Sequence, residues 1–149
     1  MVNKDYLLTI HGIISIIQIV LGFIAIIIGA VVWSHGSVYI LIFPDFAPGI
    51  LYVLFALELT WSICLAVTAM QIMGKDVLQT LGKMKLMIYH GGILVVLLIA
   101  AGVESYYAGH VVFWVDTLGY KTRMILDTII LWILVVSHIV QLIFVALQR

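Results

Sequence analysis

Charge is what this chain lacks most. Only 9% of its residues are charged, against 65% hydrophobic, and the formal net charge is zero. Between Asp5 and Asp45 there is no charged residue at all. A soluble domain is usually about half apolar and about a quarter charged, so this balance excludes an ordinary water-soluble fold. With no net positive charge, there is no broad electrostatic footprint for nucleic acid. Cysteine is nearly missing too. Cys64 stands alone, which excludes intramolecular disulfides and cysteine-rich metal centres. Asn3 is the sole asparagine, and Asn3-Lys4-Asp5 is not a glycosylation acceptor. The first apolar run is too long for a signal peptide, and no small-x-small cleavage site follows it.

Long apolar runs are there instead. A helix rises about 1.5 Å per residue and the hydrocarbon core is roughly 30 Å thick, so about 20 apolar residues cross it. Runs of that length cover residues 10–33, 49–73, 86–107 and 124–147. Lipid offers no partner for an open backbone group, and segments this long are not barrel strands, so each is expected to be helical. The expected fold is an all-α integral membrane protein, a single domain of four transmembrane helices over residues 1–149.

An even number of spans places both termini on one face of the membrane. That face carries Lys4, Lys75, Lys83, Lys85 and Arg149, whereas the other has Lys121 and Arg123. Positive charge marks the cytoplasm, so both termini are expected there. Trp33, Tyr39, Tyr52, Tyr106, Tyr107, Trp114 and Tyr120 gather near the outer boundary, and Tyr6 and Tyr89 near the inner one. The outer loops hold two short apolar runs, VYILIF at 38–43 and VVFWV at 111–115, whose β-branched and aromatic content suits strands. An isolated hairpin is marginally stable, so these runs are expected to lie in the headgroup region rather than pair.

The span faces carry the finer signal. In the first span His11, Ser15, Gln18, Gly22, Ala25 and Gly29 recur at helical spacing and form a seam of small and polar residues. Small residues let helix backbones approach, and polar side chains bond across helices, so the seam should face the bundle. Ile14, Ile17, Ile24 and Ile28 should face lipid or fill gaps. In the fourth span Asp127, Leu131, Leu134, His138, Gln141 and Val145 share a face. His138 and Gln18 lie at similar depth, where they could bond each other, a backbone carbonyl or a neighbouring span. Gly91, Leu94, Leu98, Ala101 and Ser105 make a weaker small seam in the third span.

Glu58 is the costliest residue, nine positions into the second span and roughly 14 Å along its helix. Membrane carboxylates usually face the protein interior, so it is expected there, as an ion or proton site or as a carboxyl tying helices together. His90, Glu104 and Asp127 sit near span ends and are expected to meet headgroups, water or loops. His11, His35, His90, His110 and His138 are scattered in depth, with no ligand cluster for a metal. No catalytic triad, phosphate loop or cofactor-attachment motif is present, so neither enzyme activity nor a cofactor is expected.

Two stretches, LLTIHGIISIIQIVLGFIAIIIGA at 7–30 and LFALELTWSICLAVTAMQIMG at 54–74, together with short ends and short outer loops, resemble the MARVEL-domain proteins. The likeness is to their small myelin-and-lymphocyte, plasmolipin and chemokine-like-factor branches, and it spans nearly the entire chain. It implies no catalytic residues. It implies membrane apposition, vesicle trafficking or organisation of cholesterol-rich membrane, in the plasma or a vesicle membrane. The expected partners are membrane lipids, other membrane proteins or a second copy. The expected function is a non-enzymatic membrane scaffold. The alternative is a small channel or transporter subunit, or an auxiliary subunit of a larger membrane complex. The topology is directly testable: tags at both termini and a probe between Lys75 and Lys85 should be protected from the outside, while probes at Asp45 and Asp116 should be accessible. Opposite exposure of the two termini would refute four spans.

Overall fold

The computed structural model describes residues 4–34, 37–40, 48–75, 81–110 and 120–147. Four helices long and apolar enough to cross a membrane fill it. They are α1 (Ile10–Ala30), α2 (Gly49–Ile72), α3 (Lys83–His110) and α4 (Tyr120–Leu147). Each packs on its chain neighbours, and α4 returns to pack on α1, so the helices form a closed ring in chain order. This is an all-α, multi-pass membrane bundle.

Helix ends follow local chemistry. Thr9 caps α1: its hydroxyl accepts from the Gly12 amide at 3.1 Å and donates to the Tyr6 carbonyl at 2.6 Å. This bonding folds a short 3-10 helix (Lys4–Leu8) against the first turn of α1. Gly12 is required there, because a Cβ would collide with the Tyr6 carbonyl oxygen and lie 2.9 Å from the Leu7 Cα. The N-terminus of α2 has Pro48 and no side-chain cap of its own. The Gly49 amide instead donates to the Tyr107 hydroxyl of α3 at 3.2 Å. At its other end Gly74, at φ 79°, closes a Schellman turn: Gly74 N donates to Gln71 O and Lys75 N to Met70 O, each at 3.0 Å.

Several helix boundaries differ from the sequence expectation. The helix α1 stops at Ala30, and the chain continues as β1 (Val31–Ser34), paired antiparallel with β2 (Ser37–Ile40). Residues 38–40 of the outer apolar run therefore pair with the end of the first span instead of lying free in the headgroup region; residues 41–43 and the second run, 111–115, lie outside the described residues. Attachment to a transmembrane helix removes part of the ordering cost that makes an isolated hairpin marginal. The helices α3 and α4 also extend several residues beyond the apolar stretches.

The core is apolar at mid-height. Ala25, Leu57, Leu97, Ala100 and Leu131 are wholly or almost wholly buried there, with Leu134 and Val135. Because lipid is as apolar as leucine, close packing and polar contacts hold such helices together. The first-span seam supplies both. Ser15, Gln18, Gly22 and Ala25 are buried, and Ile17 and Ile24 face outward. The third-span seam is rotated from the expected one. Leu86, His90, Ile93, Leu97, Ala100, Ala101 and Glu104 are buried, whereas Gly91 and Leu94 are half-buried and Leu98 is exposed.

Close approach at the α1 glycines is tight. A Cβ on Gly29 would lie 2.6 Å from Leu54 Cδ2, and one on Gly22 would lie 3.2 Å from Trp61 Cδ1. Gly22→Leu and Gly29→Leu should each destabilise the bundle by ~1–3 kcal/mol, the usual cost of overpacking. Ile24→Leu, on the outer face, should be neutral. Thermal unfolding of the three variants in one detergent checks this; equal melting temperatures would remove the seam argument.

Candidate functional site

Most of the buried polar residues of the spans collect at two levels, separated by the largely apolar layer. The first lies at the end of the bundle holding the N-terminus. There Gln18 Nε2 donates to Ser137 Oγ at 3.0 Å, and Ser137 in turn donates to the Leu134 carbonyl at 2.7 Å. Gln141 Nε2 donates to Ser15 Oγ at 3.1 Å, and the Tyr6 hydroxyl lies 3.3 Å from the same oxygen. The Cys64 thiol sits 3.9 Å from Gln18 Oε1 and 3.9 Å from His138 Nε2. Gln18 thus bonds the fourth span through Ser137, and the thiol stands between Gln18 and His138. His90 closes the group, its ring centroid 6.1 Å from that of His138 and 4.7 Å from that of Tyr89.

Several of these side chains, though not Ser137 or His138, line a cavity of about 250 Å³. All four helices contribute: His11, Ser15 and Gln18 from α1, Cys64, Val67 and Gln71 from α2, Tyr89 and His90 from α3, and Gln141 and Val145 from α4. Tyr6 and Thr9 line it from the 3-10 segment side. No Asp, Glu, Lys or Arg lines it among the described residues. Burial leaves Nδ1 of His90 and of His138 without a hydrogen-bond partner among those residues.

The second level lies toward the opposite end. Asp127 is about 16 Å along α4 from His138, and Glu104 about 21 Å along α3 from His90, at 1.5 Å per residue. Both carboxyl groups are buried, at 2% and 3% exposure, which corrects the expectation that span-end acids reach headgroups or water. His90, at 8%, is buried as well. One oxygen of each acid and the Thr128 hydroxyl lack a partner among the described residues. Arg123 donates to the Ile28 carbonyl at the same end. Burial of Asp127 was readable in principle, since it shares its helix face with Leu131, Leu134, His138, Gln141 and Val145, all buried. Burial of Glu104 follows from the rotated α3 face.

Glu58 is the main correction. It is exposed on the outer surface of α2, away from both polar levels. The bundle interior at its height is filled by Val53, Ala56, Leu57 and Thr60, which occupy the opposite side of the helix. Leu51, Phe55, Ser62 and Leu65 share its outward stripe. His35 lies outside the described residues.

No family model, curated protein or solved structure matches the chain. Function must therefore be argued from the two polar levels and the outer surface. Among the described residues, no group of three or more His, Cys, Asp or Glu side chains is arranged to hold a metal ion.

Sequence reasoning missed Ser137, Cys64, Tyr6 and Gln71 as members of the polar group. Ser137 was hidden because it lies beside the buried face and enters only through the Gln18 amide. The buried network should be sensitive to truncation. Gln18→Leu leaves no donor for Ser137 and should cost ~1–3 kcal/mol, as for other buried groups left unsatisfied. Glu58→Gln, on the exposed side of α2, should leave the melting temperature of the isolated protein unchanged. A large loss for Glu58→Gln alongside a neutral Gln18→Leu would reverse this assignment.

Proposed function

We propose that the protein is a non-enzymatic membrane scaffold that associates laterally with another transmembrane helix, of a second copy or of a partner membrane protein. The observation that carries this reading is Glu58. It stands near mid-membrane, roughly 14 Å along α2, and faces outward. A carboxyl at that depth in bare lipid costs a few kcal/mol, and such groups normally face other protein. The interior that Glu58 faces is thus an intermolecular one. Ser62, one turn further on the same outward stripe, adds a second hydrogen-bonding group, and Leu51, Phe55 and Leu65 supply apolar contact around the pair.

The apolar middle layer favours a scaffold over a conduit. Leu57, Leu97 and Leu131 fill the bundle between the cavity and the Glu104–Asp127 level, so those two levels do not join into a polar path. The likeness to MARVEL-domain proteins points the same way, toward membrane organisation, apposition or vesicle trafficking in a plasma or vesicle membrane. Cholesterol-rich lipid is the surrounding that likeness implies.

Lateral association is measured by energy transfer between labelled copies in vesicles and by co-purification in mild detergent. Glu58→Leu should abolish the association or strip the partner while the melting temperature of the isolated bundle stays unchanged. Glu58→Gln, which keeps hydrogen bonding, should retain it. Association untouched by Glu58→Leu would sink the reading. So would robust ion or proton flux through wild-type vesicles that Glu104→Gln or Asp127→Asn abolishes.

A further inference from the structure

The cavity lined by all four membrane helices is partly open, so a guest can enter it and meet its polar side chains. Buried polar groups are stable only when paired, by protein, water or ligand. Here the lining is of one kind. Amides, hydroxyls, a thiol and imidazoles contribute, and no formal charge does among the described residues. An ion entering this space would shed its hydration with no opposite charge to replace it. The chemistry therefore selects an uncharged guest.

The shape narrows it further. At about 250 Å³ the cavity falls below the ~300–1,000 Å³ typical of drug-sized sites, which limits the guest to roughly one ring system. Aromatic rings of Tyr6, His11, Tyr89 and His90 line the walls, which suits a flat guest. Donors and acceptors point the same way. His90 and Gln71, an imidazole and an amide, both line the cavity. Amide and imidazole edges of this kind pair with ring carbonyls and ring N–H or O–H groups.

We propose that this cavity is a binding site for an uncharged planar ring bearing carbonyl groups, held by His90 and Gln71 among the aromatic walls. Two sources carry that chemistry: a water-soluble lactam ring of the nucleobase type, and the head of a membrane quinone. The site is independent of the outward Glu58 stripe, so it stands or falls separately from the scaffold reading.

The test uses the full chain in nanodiscs, with empty nanodiscs as reference, and equilibrium binding of labelled uracil and of labelled decyl-benzoquinone. One of the two should bind saturably at one per chain and raise the melting temperature. Uracil binding assigns the soluble source, and quinone binding alone assigns the membrane source. Benzoate, a flat anion, and glycerol, a non-planar polyol, should fail to compete. His90→Phe and Gln71→Leu should each weaken binding at least tenfold. Gly102→Ala, whose Cβ meets nothing within 4 Å, should not. The proposal is overturned if neither ring binds, if benzoate or glycerol competes equally, or if both cavity variants bind like wild type while remaining folded.

Discussion

The bilayer supplies no hydrogen-bond partners, and every other feature of this protein answers to that. Backbone groups are satisfied within helices, so the chain crosses as helices. Side-chain polar groups must find partners across helices, and they do so in pairs: Gln18 with Ser137, Gln141 with Ser15, and the Trp61 indole N–H with the Ile19 carbonyl at 3.0 Å. Each of these bonds bridges α1 to a neighbour. The first helix, the most apolar by eye, is thus the one through which much of the polar cross-linking runs.

Glycine and small residues make those bonds reachable. Trp61 comes within contact of the α1 backbone because Gly22 has no side chain to hold it off, and Leu54 nests against Gly29 for the same reason. The packing and the polar contacts are therefore one arrangement. Widening the α1–α2 gap to admit a side chain at Gly22 would also draw Trp61 away from the Ile19 carbonyl.

Against that background, the groups left without internal partners stand out. Glu58 faces outward where lipid would be the only solvent. Among the described residues, one imidazole nitrogen each of His90 and His138 and one oxygen each of Glu104 and Asp127 have no hydrogen-bond partner. A bundle shaped only for its own stability would have little use for these. The contacts beyond the chain proposed above use two places: the outward stripe at Glu58 and the cavity.

Length and composition determined the solvent, the number of spans and the inward face of α1, because a bilayer penalises charge and open backbone wherever they fall. The shared face of Asp127, His138 and Gln141 was also legible, since helical periodicity alone sets it. Glu58 was not. In α2 buried Val53, Ala56, Leu57, Thr60 and Cys64 alternate with exposed apolar residues, so no hydropathy contrast marks which side is the core. Only packing against α1 and α3 decided that Leu57 turns in and Glu58 out. The α3 face was ambiguous for the same reason, as Leu94, Leu97 and Leu98 are equally apolar and only contact with α2 and α4 separates them. The cavity belongs wholly to the tertiary structure: its polar lining comes from four helices, and spacing within one helix cannot report where it meets the other three.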